Sequence, residues 1–314
     1  MWVANTDPDW FDFLAAQPQI DEVNFWAPSG ESTFRAVQAG ELFLFKLKSP
    51  RNAIGGFGVF TQASNLPISL AWEAFGIKNG APSLGEMRTR VGKYRKTTTL
   101  VDYTIGCRVL VQVVFLPEIA WIPQPDSWSN SIVVGKRFGT ESAEGLRLWE
   151  RVMDLAVTHQ FPSISVSGLA EGASLDVSVD EARFGAPQLI RPRLGQGAFR
   201  IAVTEAYERE CALSHGRVLP ALDAAHIRAY GDGGAHEVRN GILLRRDIHS
   251  VFDAGYGTFD EDHRFVVSNR VRTEFNNGEE YRRLHGAKLR LPADSRMWPD
   301  AAALEWHREN VYRA

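Results

Sequence analysis

Four side chains in the last third of the chain have types and spacing that suit hydrolytic chemistry: His226, Asn240, His249 and Asp253. An imidazole titrates near neutrality and so can take a proton from water at physiological pH, which makes His226 a candidate general base. His249 and Asp253 stand four residues apart. On a helix that spacing puts both on one face, where they can converge on one metal ion.

The elements needed to position these groups are legible around them. Leu222-Asp223-Ala224-Ala225-His226-Ile227 reads as a short apolar strand carrying the first histidine, and a polar turn with Gly233-Gly234 follows. Asn240 opens a second strand, and a helix then carries His249 and Asp253. A strand His, a loop Asn and a helical His in that order form the ββα-metal arrangement. The intervals are 14 residues from His226 to Asn240 and 9 from Asn240 to His249. With the flanking text at Arg193–Arg200, Ala206-Tyr207, Cys211-Ala212, Ala254-Gly255 and Gly286–Pro292, this stretch resembles the HNH nuclease family. It is most similar to the subgroup found in bacterial restriction-type proteins, over roughly residues 187–300.

The resemblance implies phosphodiester hydrolysis, in which a base activates water and a cation stabilises the charge developing on the phosphate and the departing 3′ oxygen. It implies that His226 is the base and that Asn240 orders the loop and orients His226. His249 ligates a divalent metal, with Asp253 as a second ligand. Mg2+ or Mn2+ is the first expectation, and Zn2+, Ni2+ or Co2+ the next. The position before the base, where many relatives have a ligand, is Ala225 here. Asp223, two residues earlier on the same strand face by the two-residue period, is the candidate substitute. Cys211-Ala212-Leu213-Ser214 lacks the paired cysteines of a structural zinc knuckle. Arg245 and Arg246 are candidates for holding DNA phosphates. His215 and His236 flank turns and are expected to be solvated.

The first part of the chain is β-rich. Strands are expected over 41–48, 54–60 and 106–115, and short helices over 70–75 and 84–91. An aromatic pair, Phe25-Trp26, the run Gly55-Gly56-Phe57-Gly58 and the segment Ala71–Gly76 resemble the PUA-like superfamily, with its EVE, ASCH and SRA domains. That resemblance implies a barrel reading modified bases. A flipped base needs an aromatic sandwich and polar groups on its pairing edge. Trp26, first, then Phe57, Trp72, Trp121 and Trp128 are candidates for the sandwich, with Asp102 and Asn79 as polar readers. Arg88, Arg90, Lys93, Arg95 and Lys96 put five basic residues in nine positions, a candidate phosphate-tracking run. Residues 141–157 read as an amphipathic helix, and the Ser-, Gly- and acid-rich stretch 163–186 as a connection. The expected class is therefore α+β, with a PUA-like barrel over 1–140, a helical and acidic connector over 141–186, and an HNH domain with a ββα-metal motif over 187–314.

Composition bounds the rest. The chain has 314 residues, 44% apolar and 23% charged, enough to bury sizeable cores in about two domains. Two cysteines are too few for a disulfide scaffold and fit a reducing cytosol. No apolar run reaches the ~20 residues of a membrane span, so a cytoplasmic protein is expected, without membrane contact. The net charge of −3 is unevenly spread. Residues 141–185 hold 3 basic and 8 acidic side chains, while 1–140 hold 13 and 12 and 186–314 hold 19 and 18. The expectation is a modification-dependent restriction or phage-defence endonuclease acting on modified double-stranded DNA, with methylated or hydroxymethylated cytosine as the mark. A homodimer would be needed to cut both strands. The alternatives are a decayed sensor of modified nucleic acid and a nuclease gated by a small or modified nucleotide bound to the first domain.

Overall fold

The computed structural model describes residues 1–31, 33–95, 102–158 and 194–314. The chain divides into two compact units, Met1–Arg193 and Leu194–Ala314. The first is built from β1 (Trp2–Thr6), α1 (Pro8–Ala15), β2 (Glu22–Asn24), β3 (Leu42–Leu47), β4 (Ala53–Pro67), α2 (Ile68–Phe75), α3 (Leu84–Gly92), β5 (Thr104–Phe115), β6 (Ile122–Pro123), β7 (Gly135–Arg137) and α4 (Ala143–Thr158). Its strands form one sheet with the path β2-β5-β4-β3-β1-β7, and β6 pairs with β4 off that path. β1 and β3 run parallel, and the remaining pairs are antiparallel. Among the described residues the end strands β2 and β7 do not pair with each other, so the expected barrel appears as an open mixed sheet.

Burial explains the sequence of this sheet. Every residue of β3 is buried, including Lys46, whose Nζ reaches Asn52 Oδ1 at 3.3 Å. A strand covered on both faces has no need of strict alternation. Gly55 and Gly56 lie inside β4, where a Cβ on Gly55 would stand 2.6 Å from Phe11 Cζ and one on Gly56 would meet the carbonyl of Val114. The glycine run is thus a place of close packing within the strand and not a ligand-binding turn. Two register shifts along β4, between Phe57 and Val59 and between Phe60 and Gln62, mark irregularities in its pairing with β5. The amphipathic helix expected over 141–157 is α4, which buries Leu148, Trp149, Val152, Met153, Leu155 and Ala156. The connector from residue 159 to 186 lies outside the described residues.

The second unit contains α5 (Gln196–Ala206), β8 (Leu222–His226), β9 (Gly241–Arg245), α6 (Arg246–Asp253), β10 (Gly257–Phe259), β11 (Phe265–Val267), α7 (Arg270–Phe275), α8 (Glu279–Arg282) and α9 (Ala301–Asn310). β8 and β9 form an antiparallel hairpin with Leu222 opposite Arg245 and His226 opposite Gly241. α6 follows β9 without an intervening residue. Its Ile248 and Phe252 are fully buried in a core shared with Phe199, Val203 and Tyr207 from α5 and with Ile242, Leu243 and Leu244 from β9. Because 248 and 252 face inward, the next position on each turn, 249 and 253, is left at the rim of the same face. The described residues are of class α+β.

Candidate active site

The hairpin and α6 bring together residues that are separated by up to 30 positions in sequence. His226 is the last residue of β8 and half-buried. One face of its ring lies on Phe199 of α5, centroids 3.9 Å apart and planes inclined by 15°. Opposite His226 the partner on β9 is Gly241, where a Cβ would stand 2.5 Å from Val203 Cγ2 and 2.8 Å from Phe199 Cζ. Glycine at 241 therefore leaves the space that the Phe199 ring occupies against the histidine.

Asn240 touches the loop and not the imidazole. Its Oδ1 accepts from the backbone N–H of Arg228 at 2.9 Å, and its Nδ2 donates to the carbonyls of Arg228 and Ala235, both at 2.9 Å. The buried amide thus clips both ends of the 228–235 loop through three hydrogen bonds. Gly234 sits so close to the Arg228 carbonyl that any Cβ would collide with it.

Across from His226, a row of charged groups runs from α5 through β8 to α6. Arg200 lies 3.7 Å from Asp223 Oδ1, and Asp223 Oδ2 lies 3.2 Å from Nδ1 of His249. Asp253 Oδ2 is 3.0 Å from the other ring nitrogen, Nε2. Burial opposes a charge on His249, but hydrogen bonds to Asp223 and Asp253, and then their charges, outweigh it and raise the imidazole to about 9. Burial likewise opposes ionisation of Asp223, yet His249, Arg200 and Arg246 hold its carboxyl below the usual range. His226 moves the other way. Burial, then the neighbouring His236 and His249, depress it to about 4 against the pull of Asp253 and Asp223. At neutral pH its ring is uncharged, the form that can accept a proton.

Among the described residues no group of three or more His, Cys, Asp or Glu side chains is disposed to hold a metal ion together. Asp223, His249 and Asp253 stand in a row, one carboxylate on each ring nitrogen. Two carboxylates and an imidazole are donors that suit an oxygen-preferring or borderline divalent cation, but His249 could ligate one only after losing the proton that the two carboxylates hold on it.

Other residues singled out by sequence have other surroundings. Arg245 makes a two-pronged pair with Asp247, at 2.7 and 2.6 Å, and Arg246 opens α6. Cys211 is fully buried and its Sγ accepts from the backbone N–H groups of Ser214 and Arg245. His215 is paired with Glu210 at 2.7 Å. In the first unit, Trp26 is buried and donates its indole N–H to the Asn79 carbonyl, while Asn79 donates to the carbonyls of Ala71 and Gly76. Phe57 is fully buried and Trp128 nearly so. Trp72 is half-buried, as is Trp121, whose indole N–H donates to the Leu116 carbonyl. Asp102 accepts from the backbone N–H and hydroxyl of Ser69, capping α2 from across the chain. Arg90 pairs with Glu86, Lys93 with Asp9, and Arg95 lies over the Tyr103 ring at 4.2 Å. Tyr103 in turn donates its hydroxyl to the carbonyl of Arg88. The side chains of Arg90, Lys93 and Arg95 are engaged within the unit, and Lys96 lies outside the described residues.

Four residues at the site were not anticipated. Phe199 and Arg200 belong to the 193–200 stretch, whose text already pointed to this region. Tyr230 and His236 are in the turn, and His236 was expected to be solvated. Instead its Nδ1 lies 3.1 Å from His226 Nε2, a contact that depends on the loop geometry and has no signature in spacing.

Residues 211–260 match the family described as HNH endonuclease. They span the hairpin and α6, so the second unit carries an HNH endonuclease domain. No curated protein matches the chain. Among solved structures, one similar chain is described as a modification-dependent TagI restriction endonuclease. It is 12% identical with a TM-score of 0.27, over 95% of this chain and 78% of that one.

Proposed function

We propose that the protein is a divalent-metal-dependent DNA endonuclease of restriction type, with His226 as general base. What supports this reading is the strand–strand–helix unit in which β8 carries Asp223 and ends on His226, with the Asp223 carboxylate 3.2 Å from His249 on α6. Asp223 and His249, with Asp253 beside them, would hold the cation. When bound, it would stabilise charge on the phosphate and on the leaving oxygen. His226 takes the proton of the attacking water, Asn240 holds the loop, and Arg245 and Arg246 steady the phosphate backbone. One such site cuts one strand, so a double-strand break calls for two copies of the chain.

The first unit is proposed as the reader of modified DNA, which rests on its PUA-like resemblance and its separate fold. Trp72 and Trp121, both half-buried, are the members of the expected aromatic set open to a base.

Purified protein should nick or cut DNA in Mg2+ or Mn2+, and chelation should stop the reaction. His226→Ala should lower the rate by roughly 10²–10⁴-fold while DNA binding stays near that of the parent. Undiminished cutting by that variant would remove His226 from the chemistry.

A further inference from the structure

We propose that His236 is a positioning residue for His226, fixing which nitrogen of that ring carries the proton. The inference rests on the reading of His226 as the base. Two imidazole nitrogens 3.1 Å apart cannot both present a lone pair or both present a hydrogen, so the pair His226 Nε2 and His236 Nδ1 has one donor and one acceptor. With His236 Nδ1 as acceptor, His226 carries its hydrogen on Nε2. Its Nδ1 lone pair, which hydrogen-bonds to no described residue, is then left for a water.

The position of the His236 ring is fixed by its neighbours. The ring stacks on Tyr230 with centroids 4.7 Å apart and planes 11° from parallel, and it meets the His226 ring edge-on at 66°. The residue before it, Ala235, has its carbonyl pinned by Asn240 Nδ2. Phe199 closes one face of His226, so the ring is fixed by a stack below and a hydrogen bond at one edge. Asn240 therefore reaches the base indirectly, through the loop that carries His236.

The test uses full-length protein, whose 8 histidines give a tractable 15N ring spectrum, with the His226 signals assigned from their loss in His226→Gln. In the parent, His226 should show the Nε2–H tautomer. In His236→Ala that preference should be lost, and in His236→Asn, whose Oδ1 stands near the position of Nδ1, it should return. Cleavage by His236→Ala should fall on the order of 10²-fold in kcat, with KM within about twofold of the parent. The asparagine variant should recover most of the loss. A His226 ring protonated on Nδ1 in the parent, or one that keeps the Nε2–H tautomer in His236→Ala, overturns the proposal. If His236→Ala does not fold, the tautomer in the parent and in the asparagine variant still decides. Absence of cleavage by the parent in every metal would instead count against the endonuclease reading, and the ring spectrum would continue to judge His236.

Discussion

His226 shows how little a residue's type says about its state. The same imidazole chemistry appears at 226 and 249, yet burial and then the neighbouring His236 and His249 depress the first to about 4, while hydrogen bonds to two carboxylates outweigh burial and lift the second to about 9. The spacing in sequence singled out both, but not the difference between them. Asn240 was expected as a loop organiser through the HNH resemblance, and its amide does bind both ends of the loop. Replacing it with alanine strands one N–H and two carbonyls, so Asn240→Ala should lower stability by about 1–3 kcal/mol in urea unfolding, and cleavage should fall with it. Gly241→Ala drives a methyl into Phe199 and Val203. We expect overpacking of about 1–3 kcal/mol and a weakened Phe199–His226 stack, read as slower cleavage at a temperature where the variant remains folded.

At the scale of elements, α6 was the most readable part of the chain. Ile248 and Phe252 repeat at four residues and turn inward, which leaves His249 and Asp253 together at the rim. Capping across long separations was not readable. α2 begins after Pro67 with no side-chain cap of its own, and Asp102 supplies one from 33 residues downstream. Asp102→Ala should therefore cost about 1 kcal/mol in stability and leave any preference between DNA substrates unchanged. α9 contributes a second hidden constraint. His307 is 2% exposed, accepts from the Thr258 hydroxyl at 2.9 Å, donates to the Phe252 carbonyl at 3.3 Å and stacks on the Phe252 ring at 3.8 Å. Burial depresses it to about 4, with the Phe252 carbonyl and Asp253 opposing and Arg308 adding to the shift. The unfolded chain, with a histidine near 6.5, binds that proton first as pH falls. The contribution of His307 is therefore complete above about 6.5 and is lost as pH drops toward 4, on the order of 3 kcal/mol. Urea midpoints measured from pH 7 to pH 4 should fall more steeply for the parent than for His307→Gln.

For the whole molecule, the near-balance of charge first suggested no affinity for a polyanion, until it was resolved by region. The acidic excess belongs to 141–185, and residues 1–140 and 186–314 are each near neutral. Binding should then depend on a limited number of phosphate contacts, with affinity falling as salt rises from about 50 to 200 mM. Several of the basic residues expected to make such contacts, Arg90, Lys93 and Arg95, are tied to partners within the first unit. Arg245 is also paired, with Asp247, but it directly precedes α6 in the proposed active site, so Arg245→Ala should reduce the salt slope of DNA binding more than Lys93→Ala. Matched unmodified, methylated and hydroxymethylated duplexes test the proposed reader, and faster cutting of a modified duplex is expected. Equal rates on all three would remove that role without touching the nuclease.

By itself the sequence singled out the candidate residues and their local frame. His226, Asn240, His249 and Asp253 are close in the chain and ride on one hairpin and one helix, and short-range periodicity is enough to place them. Only the tertiary structure decided what surrounds them. The Phe199 stack, the Asp223 carboxylate on His249 and the His236 nitrogen on His226 all depend on where separate elements and a clipped loop come to rest. In the first unit the same limit weighed more. An aromatic or glycine in a strand looks alike whether it faces a ligand or a core, and burial, which settles the matter for Phe57 and Gly56, is a property of the packed sheet.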